Sequence, residues 1–223
     1  MAISTDYPRP ITVNGFVCRN CDDVSDAKKF IDPAAPTALA AVSEDTDRAV
    51  SFGGSLENRL RFVLMVHEAI RKAVGDDLPV GIRLVMDEGA EDGLRPEDCS
   101  RIAQILEREG TVDFFNGIYG LMDSDLALSE DNMPGMFQKS APYLASVEAF
   151  RRDIRLPLLH AGGIRDVATA RHVIREDLVD LVGMTRAHLA DPHLVRKLQT
   201  GREEEIRPCV GASYCLLRKA HCV

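Results

Sequence analysis

The sequence predicts an α/β protein built on a parallel sheet. Three observations carry that prediction. From residue 56 onward, amphipathic helical stretches and short apolar runs alternate. The runs are nearly continuous rather than alternating, as strands covered on both faces require. Two consecutive strands also end in turns made of glycine, threonine and arginine, the chemistry of an anion site.

The first helix covers LENRLRFVLMVHEAIRKAV, residues 56–74, where Leu56, Leu60, Val63, Leu64, Ile70 and Val74 recur at helical spacing. Ser55 is placed to cap it, with Asn58 three residues on, and Gly75 to end it. VGIRLVM, residues 80–86, is the first strand. A helix over residues 96–109 turns Ile102, Ile105 and Leu106 inward and ends at Gly110. VDFFN, residues 112–116, is the second strand. A loop rich in Gly, Asp, Asn and Pro then runs from 117 to about 140, and a helix near residues 143–152 closes the unit. LPLLH, residues 156–160, is the third strand, with its proline near the start. Asp166 caps a helix through Ala168, Ala170, Val173 and Ile174. VDLVG, residues 179–183, is the fourth strand, and Asp191-Pro192 opens a last helix with Leu194, Val195 and Leu198 inward.

Four such units join parallel strands through crossovers. Spacing alone leaves a barrel segment and an open doubly wound sheet both open. No GxGxxG follows the first strand, which argues against a dinucleotide-binding version. Residues 1–50 are rich in Pro, Asp, Ala and Thr, with little apolar periodicity beyond a short helix at 24–31. They are expected as an irregular segment ahead of a domain over 51–223.

The 223 residues, 45% of them hydrophobic, are enough to bury a core, and the length favours one domain. With 35 acidic against 27 basic side chains the net charge is −8, which excludes a nucleic-acid binder working by phosphate neutralisation. No apolar run approaches the ~20 residues of a membrane span. The start, MAISTDYPRPITVNG, lacks the basic and apolar regions of an export signal. The six cysteines therefore read as reduced thiols or metal ligands, and the protein as cytoplasmic.

Several residues could carry chemistry. Arg83 lies inside an apolar strand, where a buried guanidinium needs an anion: a ligand phosphate or an electron-rich ring on one reading, a neighbouring carboxylate on the other. His160-Ala161-Gly162-Gly163 turns from the third strand toward a helix, and its paired glycines let the backbone approach a ligand. Gly183-Met184-Thr185-Arg186 follows the fourth strand with a hydroxyl, free amides and a guanidinium, a set that matches a phosphate. Two such turns after consecutive strands resemble the phosphate site of a (β/α)8 barrel. His160 could touch a substrate or flavin, or be structural; Asp87 and Glu88 suit a solvated loop. Cys18 and Cys21 form a CxxC without a second pair at zinc-ribbon spacing. Cys209, Cys215 and Cys222 could ligate an iron–sulfur cluster or zinc, one thiol short of a full set. Cys99, on a helix among apolar neighbours, reads as core.

The strings FGGSLENRLRF, VGIRLVMDE, VDFFNGIYG, HAGGI, GMTRAHLADPHLVRK and RPCVGASYC resemble the old yellow enzyme family of NADH:flavin oxidoreductases, and within it the trimethylamine-dehydrogenase and N-methylproline-demethylase branch. The likeness runs from about Ser51 to Cys215. It implies a TIM barrel holding FMN at its C-terminal face, of which this chain carries about strands 5–8 with their helices. By that resemblance Arg83 contacts the flavin, Ala161, Gly162 and Gly163 approach its phosphate, and Thr185 and Arg186 bind that phosphate. NAD(P)H is the implied electron donor.

Three departures from the pattern are visible. GGSLENR follows the fourth barrel strand in the family, yet only about 50 residues precede it here, so strands 1–4 and their substrate-facing residues are expected to be missing. Ala212 stands where the branch's cluster motif has its middle cysteine, which weakens the case for a [4Fe–4S] cluster. The chain also stops at Val223, ahead of the branch's reductase-type domains. The expected function is FMN-dependent oxidation of a small molecule, demethylating an N-methylated amine or amino acid. The alternatives are a non-catalytic half-barrel that binds FMN or a phosphate, paired with a second copy or a complementary half, and the inactive product of a truncated gene.

Overall fold

The structure is a computed structural model describing residues 11–13, 16–18, 55–91, 93–121, 124 and 127–217. The chain divides into two units, Met1–Val63 and Leu64–Val223. In the first, β1 (Ile11–Val13) and β2 (Phe16–Cys18) pair as an antiparallel hairpin, an element that the composition of this segment does not announce. The helix expected at 24–31 lies outside the described residues, as does Cys21.

The remaining helices and strands follow the expected alternation. Helix α1 is Leu56–Val74, opened by the Ser55 hydroxyl, which accepts from Asn58 N at 3.2 Å. Then come β3 (Gly81–Asp87), α2 (Pro96–Glu109), β4 (Phe114–Tyr119), α3 (Leu144–Asp153), β5 (Leu158–His160), α4 (Val167–Arg175) and β6 (Leu181–Val182). Helix α2 ends on Gly110 in the left-handed conformation, φ 67°. Asp166 caps α4, accepting from Thr169 N at 2.7 Å. Two short helices, α5 (Thr185–Ala190) and α6 (Leu194–Gln199), are followed by α7 (Tyr214–Leu217). No helix among the described residues is long and apolar enough to cross a membrane.

The four parallel strands form one sheet in the order β3-β4-β5-β6. Each strand neighbours the next in the chain, so the sheet advances in one direction. A doubly wound sheet reverses at a switch point, whereas sequential order is the winding of a (β/α)8 barrel. The sheet is a partial barrel of four consecutive strands.

Register assigns the faces. Ile82, Phe115 and Leu158 lie side by side, and Phe115 meets Phe150 of α3 edge to face at 6.1 Å. This is the helix-covered face, where Phe115 and Leu158 are fully buried. Side chains alternate along strands, so Arg83, Asn116, Leu159 and Leu181 share the opposite face.

Two expectations from the sequence are corrected. The second strand does not give way to loop at Gly117 but continues to Tyr119. Gly117 is buried, and a Cβ there would come within 2.7 Å of Met86 Sδ, so this glycine serves close packing rather than a turn. The segment after the fourth strand is not a turn running on to Asp191. It is already helical over Thr185–Ala190, and Asp191-Pro192 interrupts the helix before α6.

At the N-terminal ends of the strands the same device occurs twice. Asp113 accepts from Val80 N at 2.6 Å and from Arg71 Nη2 of α1. Asp180 accepts from Leu158 N at 2.8 Å and pairs with Arg151 of α3 at 2.9 Å. Each carboxylate ties one strand's start to its neighbour and to the preceding helix. The Arg71 bond, followed by the Val80 amide, holds the Asp113 carboxyl below its usual 3.8. That contribution is present above pH 3.8 and lost as pH falls below it. Asp113→Asn is therefore expected to lower the melting temperature at neutral pH and to flatten its decline in acid, read by thermal unfolding across pH. Phe115→Ala, which empties the core beneath α3, is expected to cost about 3–5 kcal/mol in urea unfolding.

Candidate functional site

Arg83 of β3, the C-terminal end of β4, the turn after β5 and helix α5 surround one cavity of about 470 Å³. All six residues that the sequence nominates for a phosphate-bearing ligand line it: Arg83, Ala161, Gly162, Gly163, Thr185 and Arg186. The winding explains the convergence, because parallel strands in sequential order deliver their following loops to the same edge.

The glycine turn is built so that a side chain would fill it. Gly163 has φ +73°, and a Cβ there would lie 2.8 Å from Pro134 Cγ and 2.9 Å from Pro142 Cδ. Gly162 donates its N–H to Nε2 of His160 at 3.2 Å. Opposite the turn, α5 begins at Thr185 with no side-chain cap from Met184, so its first amides retain hydrogen-bonding capacity.

Three arginines act differently. Arg83 is exposed, on the sheet face away from the helices. The burial cost that singled it out therefore does not arise; what remains is a guanidinium lining the cavity with no hydrogen bond or ion pair among the described residues. Arg186 donates from Nη2 to Pro134 O at 2.9 Å and from Nη1 to Ser213 Oγ at 3.4 Å. A guanidinium has five N–H donors, so capacity for a phosphate remains. Arg165, not singled out from the sequence, donates to Gly135 O at 3.0 Å and Gln138 O at 2.9 Å, holding the segment that follows the cavity-lining Met133.

Other wall residues also escaped the sequence reading. Tyr119 at the end of β4 stacks on Tyr143 ahead of α3, ring centroids 4.1 Å apart and planes 12° from parallel. Both line the cavity with Asp131 and Asn132. Burial first, then the Asp131 charge and the neighbouring Tyr119, push the Tyr143 phenol to about 12, so it stays protonated at neutral pH. The position of Tyr119 at a strand's C-terminal end was the one available signal.

Cys215 lines the cavity, Cys209 is half-buried and Cys222 lies outside the described residues. Among the described residues no three metal-type ligands converge. Cys99 is core: burial, then Glu88, Asp87 and Asp98, push its thiol to about 12, far from reactive. Asp87 and Glu88 shape the turn after β3, accepting from Gly89 N and Leu94 N.

A glycine cradle, uncapped amides and guanidinium groups thus gather on one cavity of a barrel segment, a set of donors able to receive an anion. The sequence pattern of the NADH:flavin oxidoreductase / NADH oxidase family matches residues 42–205. The chain belongs to that family. The match begins ahead of Ser51, inside the segment read as irregular. Among relatives, the multifunctional alkene reductase/demethylase OYE of Caballeronia cordobensis is 48% identical over 87% of this chain and 27% of its own. A probable N-methylproline demethylase of Rhizobium meliloti is 46% identical over 75% of this chain and 24% of its own. The histamine dehydrogenase structure from Rhizobium sp. 4-9 superposes with a TM-score of 0.67 at 28% identity, covering 79% of this chain and 24% of that one. The chain thus spans about a quarter of the length of these proteins.

The family implies FMN, and the residues present fit its phosphate end: a cradle that a Cβ would fill and cationic donors with capacity to spare. Gly163→Ala forces a side chain into the left-handed region against two prolines. It is expected to cost about 1–3 kcal/mol of stability and to weaken flavin binding, checked by thermal unfolding and by titration with FMN.

Proposed function

We propose that this chain forms the phosphate-binding part of an FMN-dependent oxidoreductase that demethylates N-methylated amines or amino acids oxidatively. One observation carries the cofactor assignment: three separate segments bring Arg83, the 161–163 turn, and Thr185 with Arg186 to one cavity. The reaction class is supported by the relatives, two of which bear demethylase in their names. When bound, FMN would supply the acceptor for one hydride, drawn either from an N-methyl carbon or from NAD(P)H, and the reduced flavin would pass those two electrons to an external oxidant.

The chain's own residues bind and orient. With the Gly162 amide held by His160, the Ala161 and Gly163 amides and the Thr185 hydroxyl serve the phosphate, and Arg186 adds charge-assisted donors. Arg83 places positive charge on the uncovered sheet face, where it favours electron-rich ring atoms. Arg165 and Arg186 fix the 134–138 carbonyls and so hold the segment next to the cavity-lining Met133 in place. The Tyr119–Tyr143 stack supplies a flat apolar wall.

The test is spectroscopic. The purified chain, incubated with FMN and freed of excess, is expected to retain visible flavin absorbance that bleaches on addition of NADH or N-methylproline. Retained colour without bleaching overturns the catalytic half of the proposal and leaves a flavin-binding half-barrel; a colourless preparation overturns both halves. Arg186→Ala removes charge-assisted bonds worth about 1.5–3 kcal/mol and is expected to weaken FMN binding about ten- to a hundredfold. Unchanged FMN affinity in a folded Arg186→Ala protein refutes the phosphate assignment.

A further inference from the structure

His160 ends β5 and is wholly buried. Its Nδ1 lies 2.8 Å from Gly117 O on β4, and its Nε2 lies 3.2 Å from Gly162 N in the glycine turn. A carbonyl can only accept and a peptide N–H can only donate. The ring proton therefore sits on Nδ1 and the lone pair on Nε2, so both contacts are satisfied only by the neutral Nδ1–H tautomer. The ring approaches the turn closely because residue 162 has no side chain; a Cβ there would lie 2.5 Å from Nε2.

We propose that His160 is the positioning residue of the phosphate turn: its neutral imidazole ties Gly162 to Gly117, and a proton on Nε2 undoes the tie and the turn's grip on an anionic ligand. The ligand part rests on the cavity taking a flavin phosphate; the tie itself does not. Protonation sets an Nε2–H against the Gly162 N–H, two donors face to face, and the turn must open to relieve them.

The titratable and charged groups on the elements around the ring are Tyr119 on β4, Tyr143 ahead of α3, Arg165 and Asp166 past the turn, Asp180 before β6 and Arg186 on α5. None bonds to the imidazole, whose nitrogens are both taken by backbone. Burial lowers the pKa of His160 from 6.5, with the Gly117 carbonyl on Nδ1 opposing. The unfolded chain consequently binds the proton at higher pH than the folded one. The tie is complete above pH 6.5 and is lost as pH falls through the folded value.

Two measurements test this. In the first, FMN affinity is followed by flavin fluorescence against pH for the wild type and for His160→Gln, whose side-chain oxygen can accept from Gly162 without titrating. The flavin phosphate itself titrates near about pH 6, and that effect is common to both proteins. One unit below the His160 midpoint only about a tenth of the wild type is competent, so its affinity is expected to fall about tenfold beyond the loss seen in His160→Gln. Parallel profiles in the two folded proteins overturn the proposal. The second measurement needs neither ligand nor variant, and so separates failure of the tie from failure of the flavin assignment. Nitrogen NMR of the wild-type ring is expected to show the Nδ1–H tautomer, with the Gly162 amide shifting at the same midpoint as the ring. An Nε2–H tautomer, or a Gly162 amide indifferent to the titration, overturns it.

Discussion

The site depends on strands tied together at one end and free to diversify at the other. At the N-terminal edge, Asp113 and Asp180 each hold a neighbouring strand's first amide and an arginine from the preceding helix. These bonds set the register along which Arg83, Asn116 and Leu159 line up across three strands. With register fixed below, every strand delivers its following loop to the same rim above. The division of labour matches the general behaviour of barrels, in which the N-terminal face carries stability and the C-terminal face carries chemistry.

At the rim the chain uses cations to organise backbone as well as to attract ligand. Arg165 and Arg186 donate to three carbonyls of the 134–138 segment. Arg186 reaches Ser213 as well, two residues from Cys215, which lines the cavity. Gly211, buried with φ +72°, allows that approach, since a Cβ there would collide with the Arg165 guanidinium. Arg186 thus holds the Pro134 carbonyl and Ser213 while lining the cavity itself.

Much of this was legible in the sequence. The helices at 56–74 and 96–109 fall where periodicity and capping residues put them, because amphipathic spacing and a terminal glycine are local signals. Five of the six cavity residues, all but Arg83, were legible for the same reason: glycine pairs and Thr-Arg steps after strands announce themselves within a few positions. Other features are set by distant partners and leave no local trace. Gly117 resembled a loop residue because nothing beside it in the chain reveals Met86 and Leu158 packing above it. Arg83 resembled a buried charge because an apolar run does not say which sheet face lacks helices. His160 kept two readings until Gly117 and Gly162 were seen on its two nitrogens. Tyr143 and Asp131 meet Tyr119 only through the folded loop.

The paired rings on the cavity wall have an optical consequence. The sequence contains no tryptophan and four tyrosines, so its ultraviolet emission comes essentially from tyrosine. Two of those rings, Tyr119 and Tyr143, lie stacked against each other where a ligand would rest. Half of the chain's native fluorophores therefore face the cavity, and the protein carries its own reporter of what enters it.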